Sequence, residues 1–161
     1  MGSLKFGTFP RSGSHFFTLL TGCDWLVHNI SLLQKNNNVV VSIRNPLQCV
    51  PSWIVFNYDN RLDRAEKVLE WYCVYYQKVK ELDVVVLPFE QLISDPLFCI
   101  NYSYKKYGLE LLEFLDYDLS NGFQSPTKDK SEYHKIVEEM YLAPSFAKAV
   151  NLFEELCVPV G

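Results

Sequence analysis

Long basic runs are missing from this 161-residue sequence. The longest is Lys105-Lys106, and 15 basic residues stand against 19 acidic ones, for a net charge of −4. Such a chain does not hold nucleic acid by bulk phosphate attraction, so any anion site must be local. The five cysteines, Cys23, Cys49, Cys73, Cys99 and Cys157, include no C-x-x-C pair. Their odd number and wide spacing argue against a disulfide framework or a metal site, and they read as buried thiols in a reducing compartment. No apolar run reaches membrane-spanning length, and strand-like residues from Leu4 onward leave no space for a signal peptide. Position 6 is Phe6, where myristoylation needs Ser or Thr. A cytoplasmic protein with no membrane or nucleic-acid partner is therefore expected. Also missing is G-x-x-x-x-G-K-[ST], the lysine-bearing phosphate loop of ATPases and ordinary kinases.

What is present is ample core material: 48% hydrophobic and 15% aromatic residues, enough for one domain spanning 1–161. Short β-prone runs alternate with helical patterns. Strands are expected at Leu4–Phe9, Asp24–His28, Val39–Ile43 and Val84–Leu87. Helices are expected from His15 to Leu20, around Ser31–Lys35, over Leu47–Phe56 with a possible irregularity at Pro51, and over Arg61–Leu82. The last of these carries Leu62, Ala65, Val68, Leu69, Tyr72, Tyr76, Val79 and Leu82 on one face. Asp95-Pro96 opens a further helix, with Asp as cap, running to Tyr107 before Gly108. Residues 108–130 read as loop, followed by helices near Ser131–Tyr141 and Pro144–Leu156. This rhythm predicts an α/β fold with a central parallel sheet flanked by helices. In such folds ligands sit beyond the carboxyl ends of the strands, which is where Arg11, His28, Arg44 and Glu90 fall.

Two segments carry recognisable chemistry. In Thr8-Phe9-Pro10-Arg11-Ser12-Gly13-Ser14-His15-Phe16 a turn of small residues leads from a strand into a helix. Unpaired backbone N–H groups and the helix dipole favour an anion there. Arg11 adds a permanent forked charge, and Gly13 allows close approach of the backbone. The plainer alternative is a strand–turn–helix corner with a solvated arginine. The second segment is Arg44-Asn45-Pro46 with Ser52 eight residues after the arginine. Arg44 ends the most buried strand, and Ser52 lies about two helical turns on, so both can face one crevice. The alternative there is an arginine paired with Glu90 or Asp95.

These segments resemble sulfotransferases that use 3′-phosphoadenosine 5′-phosphosulfate (PAPS). Thr8 to Phe16 is similar to their T-[YF]-P-[KR]-S-G-[ST]-x-[WF] phosphosulfate loop. Val40 to Ser52 is similar to their R-[ND]-P motif with its later serine, and Val86 to Pro96 to their [YF]-E-[DQ]-L-x-x-D-P segment. The resemblance covers roughly residues 4–108. It implies a three-layer P-loop-like fold and sulfuryl transfer to a hydroxyl or amine of a small-molecule or glycan acceptor. PAPS would be the donor, PAP (3′-phosphoadenosine 5′-phosphate) the product, and no metal would be required. By the same matching, Arg11, Ser12, Gly13 and Ser14 would hold the 5′-phosphosulfate, and Arg44 and Ser52 the 3′-phosphate. Phe16 would lie near the adenine or in the core. His28 would be the catalytic base, with His15 a ligand contact; His134 reads as a surface residue and Glu90 as a structural partner of the arginines.

The chain departs from the family pattern in two places. It is short, and the family's C-terminal R-K-G-x-x-G-x-W motif is absent, with Ser125 to Lys130 in its stead. There Lys128 or Lys130 would reach the nucleotide or simply be solvated. Two other readings stay open: a nucleotide-dependent phosphotransferase on the same fold, and a non-catalytic module that binds PAPS or PAP.

Overall fold

The β-branched run at 39–43 forms the centre of a sheet. The computed structural model describes residues 4–12, 17, 21, 23–57, 64–110 and 132–161. Strand β1 is Lys5–Thr8, β2 Asp24–Trp25, β3 Val39–Ile43 and β4 Val85–Pro88. They pair in parallel, in the order β2-β1-β3-β4. All five residues of β3 are buried, as a strand covered on both faces requires. The pairing of β1 with β3 sets Thr8 opposite Ser42.

The helices are α1 (Ile30–Lys35), α2 (Pro46–Asn57), α3 (Arg64–Glu81), α4 (Phe89–Ser94), α5 (Pro96–Lys106), α6 (Tyr133–Leu142) and α7 (Phe146–Leu156). Alternation along the strands sorts the core into two layers. Val39, Val41 and Ile43 face a cluster with Leu33 of α1, Val50 and Ile54 of α2, the buried stripe of α3, and residues of α6 and α7. Phe6, Val40, Val85 and Leu87 face the other way, against Phe17 and residues of α4 and α5. Phe6 and Phe17 stack with ring centroids 4.3 Å apart. The fold is α/β, with helices on both faces of a parallel sheet.

Local chemistry sets several element ends. Asn29 Oδ1 accepts from Ser31 N–H at 2.9 Å and starts α1. Asn45 Oδ1 accepts from Leu47 N–H at 2.9 Å, so Asn45-Pro46 opens α2 with proline where its missing N–H costs nothing. Pro51 sits inside α2, which continues through it. Gly108, at φ 66°, ends α5 in the left-handed conformation.

Four expectations need correction. Strand β2 stops at Trp25 rather than His28, because Val27 turns the chain at φ 55° and Leu26 N–H makes the last bond, to Phe6 O. Strand β4 lies one residue later than expected. Residues 89–94 form a helix where none was expected. Asp95 precedes α5 but makes no side-chain capping bond. The expected helix from His15 has only Phe17 in the described set, and Leu62 and residues 111–131 lie outside it.

Gly7 marks the tightest approach under the sheet. A Cβ there would lie 2.5 Å from Leu33 Cδ2 and 3.1 Å from the Tyr75 hydroxyl, both buried. Overpacking of this kind costs about 1–3 kcal/mol. Gly7→Ala is therefore expected to lower the unfolding free energy by that amount, read as a lower urea midpoint with an unchanged slope; an unchanged midpoint contradicts this packing.

Candidate functional site

The order β2-β1-β3-β4 makes β1 and β3 neighbours whose chains leave in opposite directions. After β1 the chain proceeds to β2 on one side, and after β3 it proceeds to β4 on the other. The loops diverge at their carboxyl ends and leave a crevice, the usual ligand position in open parallel sheets. Phe9 to Ser12 and Arg44-Asn45 form its two walls.

A buried polar rung closes the bottom of the crevice. Ser42 Oγ donates to the carbonyl of Ser12 at 2.5 Å, and the Thr8 and Ser42 hydroxyls are 2.7 Å apart. A carbonyl only accepts, so the Ser42 proton points to Ser12 and Thr8 must be the donor to Ser42. Thr8, Ser12 and Ser42 are fully buried; the directed pair satisfies the Thr8 and Ser42 hydroxyls, and the Ser12 hydroxyl donates to the carbonyl of Pro10 at 3.5 Å. From α3, Tyr76 donates to Ser42 O at 2.8 Å and Tyr72 to Arg44 O at 2.9 Å. These tyrosines sit four residues apart on the face read from sequence as plain core. Their hydroxyls fix the backbone on which the arginine stands.

Above the rung the arginines interlock. Arg11 stands at φ 62°, a strained position for a residue with a Cβ. Its carbonyl accepts from Arg44 Nη1 at 2.8 Å, and its own Nε donates to Ser52 Oγ at 2.8 Å. Two aromatic rings support the charges: Phe56 lies 5.0 Å from the Arg11 guanidinium and Phe89 lies 4.3 Å from that of Arg44. Burial, followed by the charge of Arg11, pulls Arg44 below the ordinary guanidinium value, against a raising effect of Cys49. Burial likewise lowers Arg11. Both remain cations at neutral pH. Each is half-buried, and an anion lodged between them would offset their desolvation and mutual repulsion.

The structure brings Arg11, Ser12, Arg44 and Ser52 into one crevice. The two phosphate grips expected apart are joined by the Arg11–Ser52 bond. Glu90 is not the ion-pair partner expected of it: among the described residues no carboxylate lies within 4.0 Å of Arg44, whose contacts are Gln48, the Arg11 carbonyl and the Phe89 ring. Helix α4 places Glu90 in its first turn and gives the position under the guanidinium to Phe89. Gly13, Ser14, His15, Phe16, Lys128 and Lys130 lie outside the described residues. His134 is exposed and pairs with Glu138 on its own helix.

His28 stands at the same rim. Its Nδ1 lies 2.6 Å from the carbonyl of Thr8, the last residue of β1. The carbonyl can only accept, so Nδ1 carries the proton and Nε2 keeps a lone pair. No described residue hydrogen-bonds Nε2. Val27, immediately before it, has φ 55°, a strained value for a β-branched residue that ends β2 and swings the imidazole toward β1. All three tryptophans of the chain pack round this ring, with Trp25, Trp71 and Trp53 centroids at 5.3, 6.2 and 6.4 Å. Nothing in their sequence spacing signals this convergence.

Buried thiols are inert neighbours. Cys49, fully buried behind Arg44, has its pKa pushed up to about 12 by burial. The five cysteines are free; Cys49, Cys73 and Cys99 are buried, and Cys23 and Cys157 only half so. Among the described residues no cluster of three or more His, Cys, Asp or Glu is placed to hold a metal, and no helix is long and apolar enough to cross a membrane. No protein-family model, curated protein or solved structure matches the chain.

Burial lowers the His28 pKa below the ordinary imidazole value, opposed by its bond to Thr8. Between that lowered value and about 6.5 the unfolded chain binds the proton more readily than the native one. Stability therefore rises with pH through this window, levels off above it, and is lost on acidification. The loss between pH 7.5 and 5.5, measured by urea unfolding, is expected to be smaller in His28→Gln than in the parent. An imidazole midpoint above 6.5 by NMR contradicts the assignment.

Proposed function

We propose that the chain is a PAPS-dependent sulfotransferase on a three-layer, P-loop-like α/β fold. The observation that carries this reading is the meeting of Arg11, Ser12, Arg44, Ser52 and His28 at the reversal between β1 and β3. The donor set suits a nucleotide with several anionic groups: two guanidiniums and two serine hydroxyls, with only neutral partners on Arg44. Among the described residues it includes no lysine and no carboxylate arranged for a metal–triphosphate.

When bound, PAPS supplies a sulfuryl group joined to a phosphate that leaves with the bonding electron pair. In this reading Arg11 and the loop at Ser12 hold that phosphosulfate end and counter the charge that develops on it. Arg44 and Ser52 hold the 3′-phosphate. His28, protonated on Nδ1 and held by Thr8, accepts the acceptor's proton at Nε2. Its lowered pKa keeps that nitrogen available at neutral pH. Fixing these groups on strand ends supplies positioning as well as charge.

Calorimetric titration with PAP, AMP and ATP tests the assignment. PAP is expected to bind most tightly. Arg44→Ala is expected to weaken PAP by about 10–100-fold, the range of one charge-assisted contact, while weakening AMP by less than about threefold. Equal losses for PAP and AMP remove Arg44 from the 3′-phosphate. A preference for magnesium-ATP replaces the reading with phosphotransfer, and PAP binding without sulfate transfer to any acceptor leaves a binding module.

A further inference from the structure

We infer that the cleft at the opposite end of the sheet from the crevice is a second binding site, and that it takes a neutral sugar ring. The cleft holds about 500 Å³ at the amino ends of β3 and β4, within the range of small-ligand sites. β3 spans Val39–Ile43, so this end of the strand lies about 13 Å from the end that carries Arg44. A ligand here is not the group that would react at the crevice, and the site is independent of the sulfotransferase reading.

Both walls of the cleft are held by hydrogen bonds within the chain. One wall is the turn from α1 into β3. Asn36 Nδ2 donates to Leu32 O at 2.8 Å and closes α1. Asn38 stands at φ 57°, a left-handed position that asparagine tolerates, and its carbonyl accepts from Lys5 N–H at 3.0 Å, which pins the turn to β1. The other wall is the turn from α3 into β4, where Leu82 N–H donates to Val79 O at 3.1 Å. Tyr107, just past α5, joins the two: its hydroxyl donates to Val39 O at 2.5 Å and accepts from Val85 N–H at 3.1 Å.

The polar members select the ligand. Gln34, Asn36, Asn37 and Asn38 bring four carboxamides to one wall, and Asp83 adds a carboxylate from the other. A carboxamide both donates and accepts, as a sugar hydroxyl does, and a carboxylate accepts from such hydroxyls. Among the described residues no cationic side chain belongs to the lining, so an anion would meet Asp83 without compensation. A cation would use Asp83 but leave the amide N–H groups of the turn facing like charge. A neutral ring with a hydroxyl edge and a C–H face uses the amides, the carboxylate and the apolar surface of Leu82 and Val84 together.

The test is an NMR titration of the isotope-labelled full chain with methyl glucoside, methyl galactoside and methyl mannoside, and with methylguanidine as a cationic probe. At least one glycoside is expected to shift the amide signals of residues 34–38 and 82–84 saturably, with a Kd on the order of 1–10 mM, the scale for so small a ligand. Asp83→Asn keeps a hydrogen-bonding group of the same shape and is expected to hold glycoside affinity within about threefold, whereas Asn37→Ala combined with Asp83→Ala is expected to weaken it at least about tenfold. Both positions are exposed, so substitution there leaves the fold intact. No saturable shift by any glycoside, or shifts centred on His28 and Arg44 instead, overturns the inference, and both are read on the unaltered chain. Unchanged glycoside affinity in the double alanine variant also overturns it. So does methylguanidine saturating the same signals more tightly than every glycoside and losing that affinity in Asp83→Asn, which would make this a cation site. PAP affinity is expected to stay within about twofold in both variants; a larger loss overturns the independence of the two sites.

Discussion

The directed hydroxyl pair between Thr8 and Ser42 joins the last rung of β1 and β3, and the rest of the site is assembled on it. Ser42 spends its proton on the Ser12 carbonyl and so pulls the loop after β1 against the end of β3. Thr8 supplies the neighbouring proton and offers its own carbonyl to His28. One cross-strand pair therefore sets the position of both Ser12, in the loop after β1, and His28. The tyrosines of α3 hold the same strand end from the other layer. Fully satisfied buried polar networks of this kind favour one arrangement over near alternatives, since any slip leaves a buried group unpaired.

Arg44 has no carboxylate within ion-pairing distance among the described residues. Elsewhere the protein pairs its buried cation: Arg64, with 8% exposure, meets Glu139 and Glu132. Arg44 receives a carbonyl, an amide oxygen and an aromatic face instead. The contrast within one molecule sets an ion-paired arginine apart from one held by neutral groups among the described residues.

Much of this was legible in the sequence because it is local. The unbroken β-branched run at 39–43 announces a doubly covered strand, and the apolar stripe from Ala65 to Val79 announces α3. The Arg44–Ser52 spacing placed both residues at one crevice, where the structure links them through Arg11. What escaped is non-local or decided by tertiary packing. Helix α4 is six residues long, too short for a periodic signal, and it moved Phe89 rather than Glu90 beneath Arg44. β2 ends early because of a backbone angle at Val27 that its side chain disfavours and the surroundings impose. The gathering of Trp25, Trp53 and Trp71 around one imidazole joins β2, α2 and α3, and no spacing rule relates those positions.

The contacts that define the crevice also span long stretches of chain. His28 reaches back 20 residues to Thr8, Ser42 reaches 30 to Ser12, Arg44 reaches 33 to Arg11, and Arg11 reaches 41 to Ser52. Closing such loops costs chain entropy before any contact repays it. The crevice therefore has no local precursor: a nascent chain that has not yet produced α2 has half a loop and no grip. Under the proposed function, ligand affinity would read how completely the parallel sheet has closed.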